Sequence, residues 1–119
     1  MQISAHFKSE EFACRCGCGL DSVNLGLVAG LERLRAALGR PIRVTSGVRC
    51  AIHNARVGGV AGSYHTRGMA ADIQVPGASL PEVFRAAAKV RAFGGIGAYE
   101  KQGFLHVDIR AKRARWFKD

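Results

Sequence analysis

Proline is scarce in this 119-residue chain, with 3 in all, and no stretch is dominated by one residue type, so nothing marks a stiff linker or a low-complexity tract. Long apolar runs are missing as well. The longest span only a handful of residues, far below the ~20 needed to cross a hydrocarbon core, so no membrane span is expected. Met1 to Phe7 lacks the apolar stretch of a secretory signal, which leads us to expect synthesis in the cytoplasm and another route for any work outside it. There is no internal repeat. With 48% hydrophobic and 23% charged residues the composition is that of a folded globular chain, and its length suits one domain over residues 1–119, expected to be a monomer.

Negative charge is the other shortage. Nine Asp and Glu face eighteen Lys and Arg, a formal charge of +9 that favours polyanionic partners such as nucleic acid, teichoic acid or anionic lipid. Half of the cations lie between Arg85 and Lys118, and the last of them surround Trp116 and Phe117. That mixture is able to grip a phosphate backbone, but it reads equally as a solvated basic tail packed by an aromatic pair. No helix-turn-helix spacing, paired-ligand zinc finger or RNA-binding aromatic motif accompanies it, so no specific nucleic-acid recognition is expected.

Cysteine is rare but crowded. Cys14, Cys16 and Cys18 lie two apart, and Cys50 is distant in sequence. This spacing is too tight for a standard zinc knuckle, though Cys14 or Cys18 together with Cys50 and a histidine would make a ligand set. A disulfide such as Cys14–Cys50, a second structural zinc and free thiols all stay open. Either linked form would fasten the N-terminal segment to the domain.

The local patterns predict an α+β fold. Ser9 to Phe12 reads as a short helical turn capped by Ser9. Leu27, Leu31, Leu34 and Leu38 recur at helical spacing, and Gly39 and Pro41 stop that helix. Ile42 to Thr45 alternates as a strand, a short helix follows around Ala51 to Val57, and Ala70 to Val75 is a second strand. Ser79 and Glu82 form a capping box that starts a helix through Val83, Ala87 and Val90. Gly95 to Tyr99 and Phe104 to Ile109 flank the turn Glu100 to Gly103 and predict an antiparallel hairpin. Two helices are expected on one face of a small, mainly antiparallel sheet, leaving the other face open to carry a site.

Only 4 histidines are present, and two sit where a metal would be held. In Ser63-Tyr64-His65-Thr66-Arg67-Gly68-Met69-Ala70-Ala71-Asp72, an imidazole on a loop precedes a carboxylate on a strand, with Gly68 permitting a tight turn between them. In Leu105-His106-Val107-Asp108, alternation points His106 and Asp108 to one face. Two histidines and a carboxylate with one open position suit a catalytic zinc, which activates water and polarises a carbonyl. On spacing alone, ordinary surface or satisfied polar residues are the commoner outcome.

The segments Thr45-Ser46-Gly47-Val48-Arg49-Cys50, His53-Asn54, Val57-Gly58-Gly59 and Ser63-x-His65-x-x-Gly68-x-Ala70-x-Asp72, with Gly95-Ile96-Gly97-x-Tyr99 and His106-Val107-Asp108, resemble the M15 family of zinc peptidases. Its members are D,D-carboxypeptidases, D,D-dipeptidases and peptidoglycan endopeptidases, phage endolysins among them. The resemblance implies Zn2+ on His65, Asp72 and His106, with Arg49 beside the metal holding a substrate carbonyl or carboxylate. It implies a peptidoglycan or muropeptide substrate with a D-amino acid at the cleaved bond; the lack of a signal-like stretch at Met1 to Phe7 adds the expectation of release to the cell wall in a phage or prophage setting. Many relatives carry a catalytic carboxylate three residues before the last histidine, where this chain has Gly103. Asp108 is then the first choice for the proton acceptor, a role as orienting partner of a ligand histidine stands beside it, and Glu100 is held in reserve. The same departure leaves room for a catalytically inactive metal-binding or cell-wall-binding module on the same scaffold.

Overall fold

The computed structural model describes residues 1–119. Helix α1 spans Leu25–Leu38, α2 spans Ala51–Arg56 and α3 spans Leu80–Ala88. The strands are β1 (Arg43–Ser46), β2 (Ala70–Gln74), β3 (Gly95–Tyr99), β4 (Phe104–Asp108) and β5 (Ala114–Lys118). Each helix end has its local cause. The Asn24 side chain accepts from the Gly26 amide at the start of α1, and Gly39 closes it in the left-handed conformation. Ser79 and Glu82 cap α3 reciprocally, as their spacing predicts. No helix is long and apolar enough to cross a membrane.

The five strands lie in the order β1-β2-β4-β3-β5. All neighbouring pairs are antiparallel except β3 and β5, which run parallel, so the sheet is mixed with one parallel edge. Alternation along the strands sorts the side chains. Val44, Ala71, Ile73, Ile96, Ala98, Leu105 and Val107 face α1 and α3 and join Leu27, Leu31, Leu34, Val83 and Ala87 in the core. Ala70, Asp72, His106, Asp108, Gly97 and Trp116 belong to the opposite face, over which α2 and the loops before β2 are laid.

Two expectations change. The Ser9–Phe12 turn is a 3-10 helix whose cap is Lys8, not Ser9. Glu11 accepts the Lys8 amide at 2.7 Å, and the Ser9 hydroxyl is turned to Glu10. The basic C-terminal stretch is a strand rather than a tail. Its alternation splits the aromatic pair: Trp116 lies over Gly97 on the site face, while Phe117 stacks on Phe84 on the helical face with ring centroids 4.8 Å apart.

Gly68 is the glycine on which the site side depends. It has φ +69°, and a Cβ there would lie 2.3 Å from the Ser22 carbonyl oxygen. Backbone conformation and packing thus both exclude a side chain. Gly68→Ala is expected to cost about 2–4 kcal/mol, combining overpacking with left-handed strain. A urea melt checks this, and an unchanged midpoint would contradict it.

Candidate metal centre and its cleft

The three expected ligands come together. Asp72 on β2 and His106 on β4 are directly opposed in the antiparallel register, so both side chains rise from one face. His65 arrives from the 3-10 turn Tyr64–Arg67. Ser63 starts that turn by accepting from the His65 amide, and Gly68 ends it in the left-handed conformation. The serine, histidine, glycine and aspartate of the motif are therefore a cap, an imidazole on the turn, a stop and a strand-borne carboxylate in succession.

Asp72 Oδ1 lies 3.2 Å from His65 Nε2 and 3.1 Å from His106 Nδ1. One donor atom from each of the three residues falls within 4.8 Å of the others. The far nitrogens are tethered. His65 Nδ1 lies 2.8 Å from the Gly47 carbonyl oxygen, which only accepts, so Nδ1 carries a proton and Nε2 is the nitrogen that, in the neutral ring, can offer a lone pair to a metal. His106 Nε2 lies 2.7 Å from Asp108 Oδ2, which frees Nδ1 in the same way. Two imidazoles held by outer N–H bonds and one carboxylate are the donor set of a zinc site with room for a further ligand, so these residues fit the metal.

Asp108 is fully buried. Its Oδ2 accepts from His106 and from Arg110 Nη2, and its Oδ1 accepts from the Arg110 amide and Nε. Arg49, on the loop after β1, donates from Nε to Ser46, from Nη1 to Asn54 and from Nη2 to Asp72 Oδ2 at 3.2 Å. Three of its five N–H groups are thereby used, and two are left for the cleft.

That cleft has a volume of about 640 Å3 and holds His65, Asp72 and His106 together with Arg49, Arg110 and Trp116 in its lining. Trp116 donates from its indole to the Tyr99 hydroxyl at 3.0 Å, and its ring centroid lies 5.2 Å from that of His106. The Arg110 guanidinium is gripped between the rings of Tyr64 and Trp116. Glu100 is not brought in: it borders a separate depression beside Leu80, Phe84 and Phe117. His53 meets the cysteines only through its amide, and His6 pairs with Glu32 on the N-terminal segment.

Several site residues were missed by sequence reasoning. In His53-Asn54 the member that reaches the site is Asn54, which is buried, accepts from Arg49 and donates to the Val60 carbonyl. Arg110 carried a signal in its two-residue offset from Asp108; Trp116 was singled out with Phe117, but the alternation of Arg115, Trp116 and Phe117 that sends the two rings to opposite faces was not used.

Burial opposes the charged form of Asp72, but hydrogen bonds to His106 and His65 outweigh it and hold the carboxyl down at about 2. Burial also works against His106 as a cation, and its hydrogen bonds to Asp108 and Asp72 prevail and push it up. For Asp108 burial is again outweighed, by His106 and Arg110, and its carboxyl lies far below the ordinary range. Carboxylates lowered on folding add stability above their unfolded value of about 4 and lose it as pH falls through the folded one. A raised histidine adds stability that is complete below about pH 6.5 and fades as pH rises through the higher folded value. The metal-free protein is therefore expected to melt highest between about pH 4 and 6.5. A melting temperature that climbs from about pH 6 to 8 in chelator would contradict this.

A family model described as Peptidase M15 matches residues 5–108. The peptidoglycan L,D-endopeptidase MepK of Escherichia coli strain K12 is 40% identical over 101 residues, covering 79% of this chain and 55% of that protein. The proteins of the same name from Escherichia coli O157:H7 and Shigella flexneri match to the same extent. The chain spans about half the length of these curated relatives. With the match covering most of the chain, and the ligand-bearing loop and strands inside it, the protein belongs to the peptidase M15 family.

Proposed function

We propose that the protein is a zinc-dependent peptidoglycan hydrolase that cleaves an internal peptide bond next to a D-amino acid. The observation that carries this is the convergence of His65 Nε2, Asp72 Oδ1 and His106 Nδ1 in the cleft, with the other nitrogen of each ring tethered. The activity in the name of the 40% identical relatives, peptidoglycan L,D-endopeptidase, supports peptidoglycan as the substrate and endopeptidase over carboxypeptidase. Zinc held by these residues supplies a Lewis acid that activates water and polarises the scissile carbonyl. The protein's own groups do the positioning. Gly47 and Asp108 keep one proton on each histidine and turn the opposite lone pair inward. The two unused N–H groups of Arg49 offer hydrogen bonds to a carbonyl or carboxylate oxygen of the peptide and to the charge that develops on it. Arg49 and Arg110 make the cleft cationic, which suits a substrate peptide that carries carboxylates. The formal charge of +9 draws the protein to anionic wall polymers, an advantage that salt removes.

Within this reading Asp108 is a positioning residue. Its burial, its tie to His106 and its double bond to Arg110 support that role over proton acceptance. Asp108→Asn is expected to lower zinc affinity and kcat/KM by about 10–100-fold while the shape of the pH profile is kept. Loss of the acid limb of that profile would instead make Asp108 the proton acceptor.

The test of the function is release of soluble fragments from purified sacculi by the zinc-loaded protein. Release that stops with chelator and returns with zinc is expected. Sacculi that carry the protein down on pelleting but stay intact would favour the second reading, a wall-binding module without catalysis. That reading draws on one observation: the only carboxylate lining the cleft is Asp72, itself a ligand of the metal site.

A further inference from the structure

The fold gathers all four cysteines, which are unbridged, at one point between the N-terminal loop and the start of α2. Cys14 Sγ lies 3.4 Å from Cys16 Sγ, and Cys16 Sγ lies 3.7 Å from Cys50 Sγ. Each sulfur falls within 4.8 Å of the others. Four thiolates around one zinc at about 2.3 Å would stand about 3.8 Å apart at the corners of a tetrahedron, so the observed spread is that of a shared ion.

The loop is shaped for this. An extended Cys-x-Cys-x-Cys segment would carry its side chains along a line on one face of the chain. Here Gly17 and Gly19, at φ +85° and +88°, curl it back on itself, and the Cys14 amide closes the curl on the Leu20 carbonyl at 2.7 Å. Arg15 fixes the curl to the sheet by donating to the carbonyls of Ala13, Glu11 and Val44. Two backbone amides point at the sulfurs, Cys50 N at Cys14 Sγ and His53 N at Cys50 Sγ, both at 3.4 Å. Such donors stabilise negative sulfur, as the outer partners of metal-bound thiolates do.

We propose that Cys14, Cys16, Cys18 and Cys50 form a second, structural zinc site, separate from the histidine centre. A closed set of four soft ligands suits a tetrahedral zinc and leaves no position for substrate. The ion would tie residues 14–18 to Cys50, the neighbour of Arg49, and so hold the Arg49 loop against the cleft. The tight spacing of the three cysteines, which argues against a standard knuckle, is accommodated by the two glycine turns.

The experiment loads the reduced full chain with zinc or cobalt. About two metal ions per chain are expected, with the strong thiolate-to-cobalt charge-transfer absorption of a four-sulfur site. The double variant Cys16→Ser/Cys18→Ser, at two exposed positions, is expected to fall to about one ion and to lose that absorption. His65→Ala is expected to lose the other ion and keep it. As a check that needs no variant, zinc should shield the wild-type thiols from alkylation and a chelator should expose them. A single ion without the charge-transfer band, a metal count unchanged by the double variant, or an untreated protein that lacks a pair of hydrogens and takes no metal on its sulfurs would each overturn the proposal.

Discussion

His65→Ala is expected to reduce sacculus cleavage by about a thousandfold or more, because in the proposed zinc centre loss of a ligand removes a Lewis acid worth several kcal/mol and each 1.4 kcal/mol is a factor of ten. The variant also strips one tethered nitrogen from the centre. Nε2 no longer faces Asp72, and the Gly47 carbonyl loses its donor. The fold should survive this. His65 sits on the site face of the sheet, outside the cluster of Leu27, Leu31, Leu34, Ile73 and Leu105 that holds the helices to the strands. Freeing one buried carbonyl costs about 1–3 kcal/mol, which lowers the melting temperature without unfolding the chain at 25 °C. The measurement is fragment release beside far-UV circular dichroism and bound zinc. A folded variant that keeps a tenth or more of the activity would take His65 out of the chemistry.

Arg49→Ala is expected to lower kcat by about 100- to 1000-fold, the usual cost of losing one aimed donor at a developing oxyanion. Two roles are entangled in this side chain, since Arg49 also donates to Asp72 Oδ2. They come apart in the zinc content. Asp72 keeps two histidine partners when Arg49 is gone, so the variant should hold zinc near the wild-type level while its turnover collapses. Arg49→Lys is expected to recover little, because one ammonium does not reproduce a fork that spans Ser46, Asn54 and Asp72 and still offers N–H groups to the cleft. If zinc is lost in parallel with kcat and Lys restores both, Arg49 only orders the metal centre.

The spacing of the site residues admitted a metal set, which the family resemblance then favoured, and local geometry makes much of that arrangement. The alternation of Leu105, His106, Val107 and Asp108 separates core from site on β4, and Ser63, His65, Gly68 and Asp72 act within one turn and one strand. The capping box of α3 and the hairpin of β3 and β4 are equally local, and both appear where their residues placed them. What escaped was made by contacts distant in sequence. β5 is a strand because its backbone pairs in parallel with β3, and nothing within Ala114–Lys118 encodes that partner. The burial of Asp108 goes with Arg110 folding back onto it and with Trp116 lying over Arg110. Asn54 acts through Arg49, and the four cysteines meet because the N-terminal loop folds onto the start of α2.

Cleavage by this protein is expected to depend on a metal held at the His65, Asp72 and His106 centre. The direct measurement is mass analysis of the muropeptides released from sacculi by the wild-type protein, with zinc, with chelator and with zinc restored. The expected result is a set of fragments cut at one internal peptide bond beside a D-residue, absent in chelator, regained with zinc and never formed by His65→Ala. Identical fragments in all arms, or sacculi left uncut by a folded, zinc-loaded protein, would contradict it.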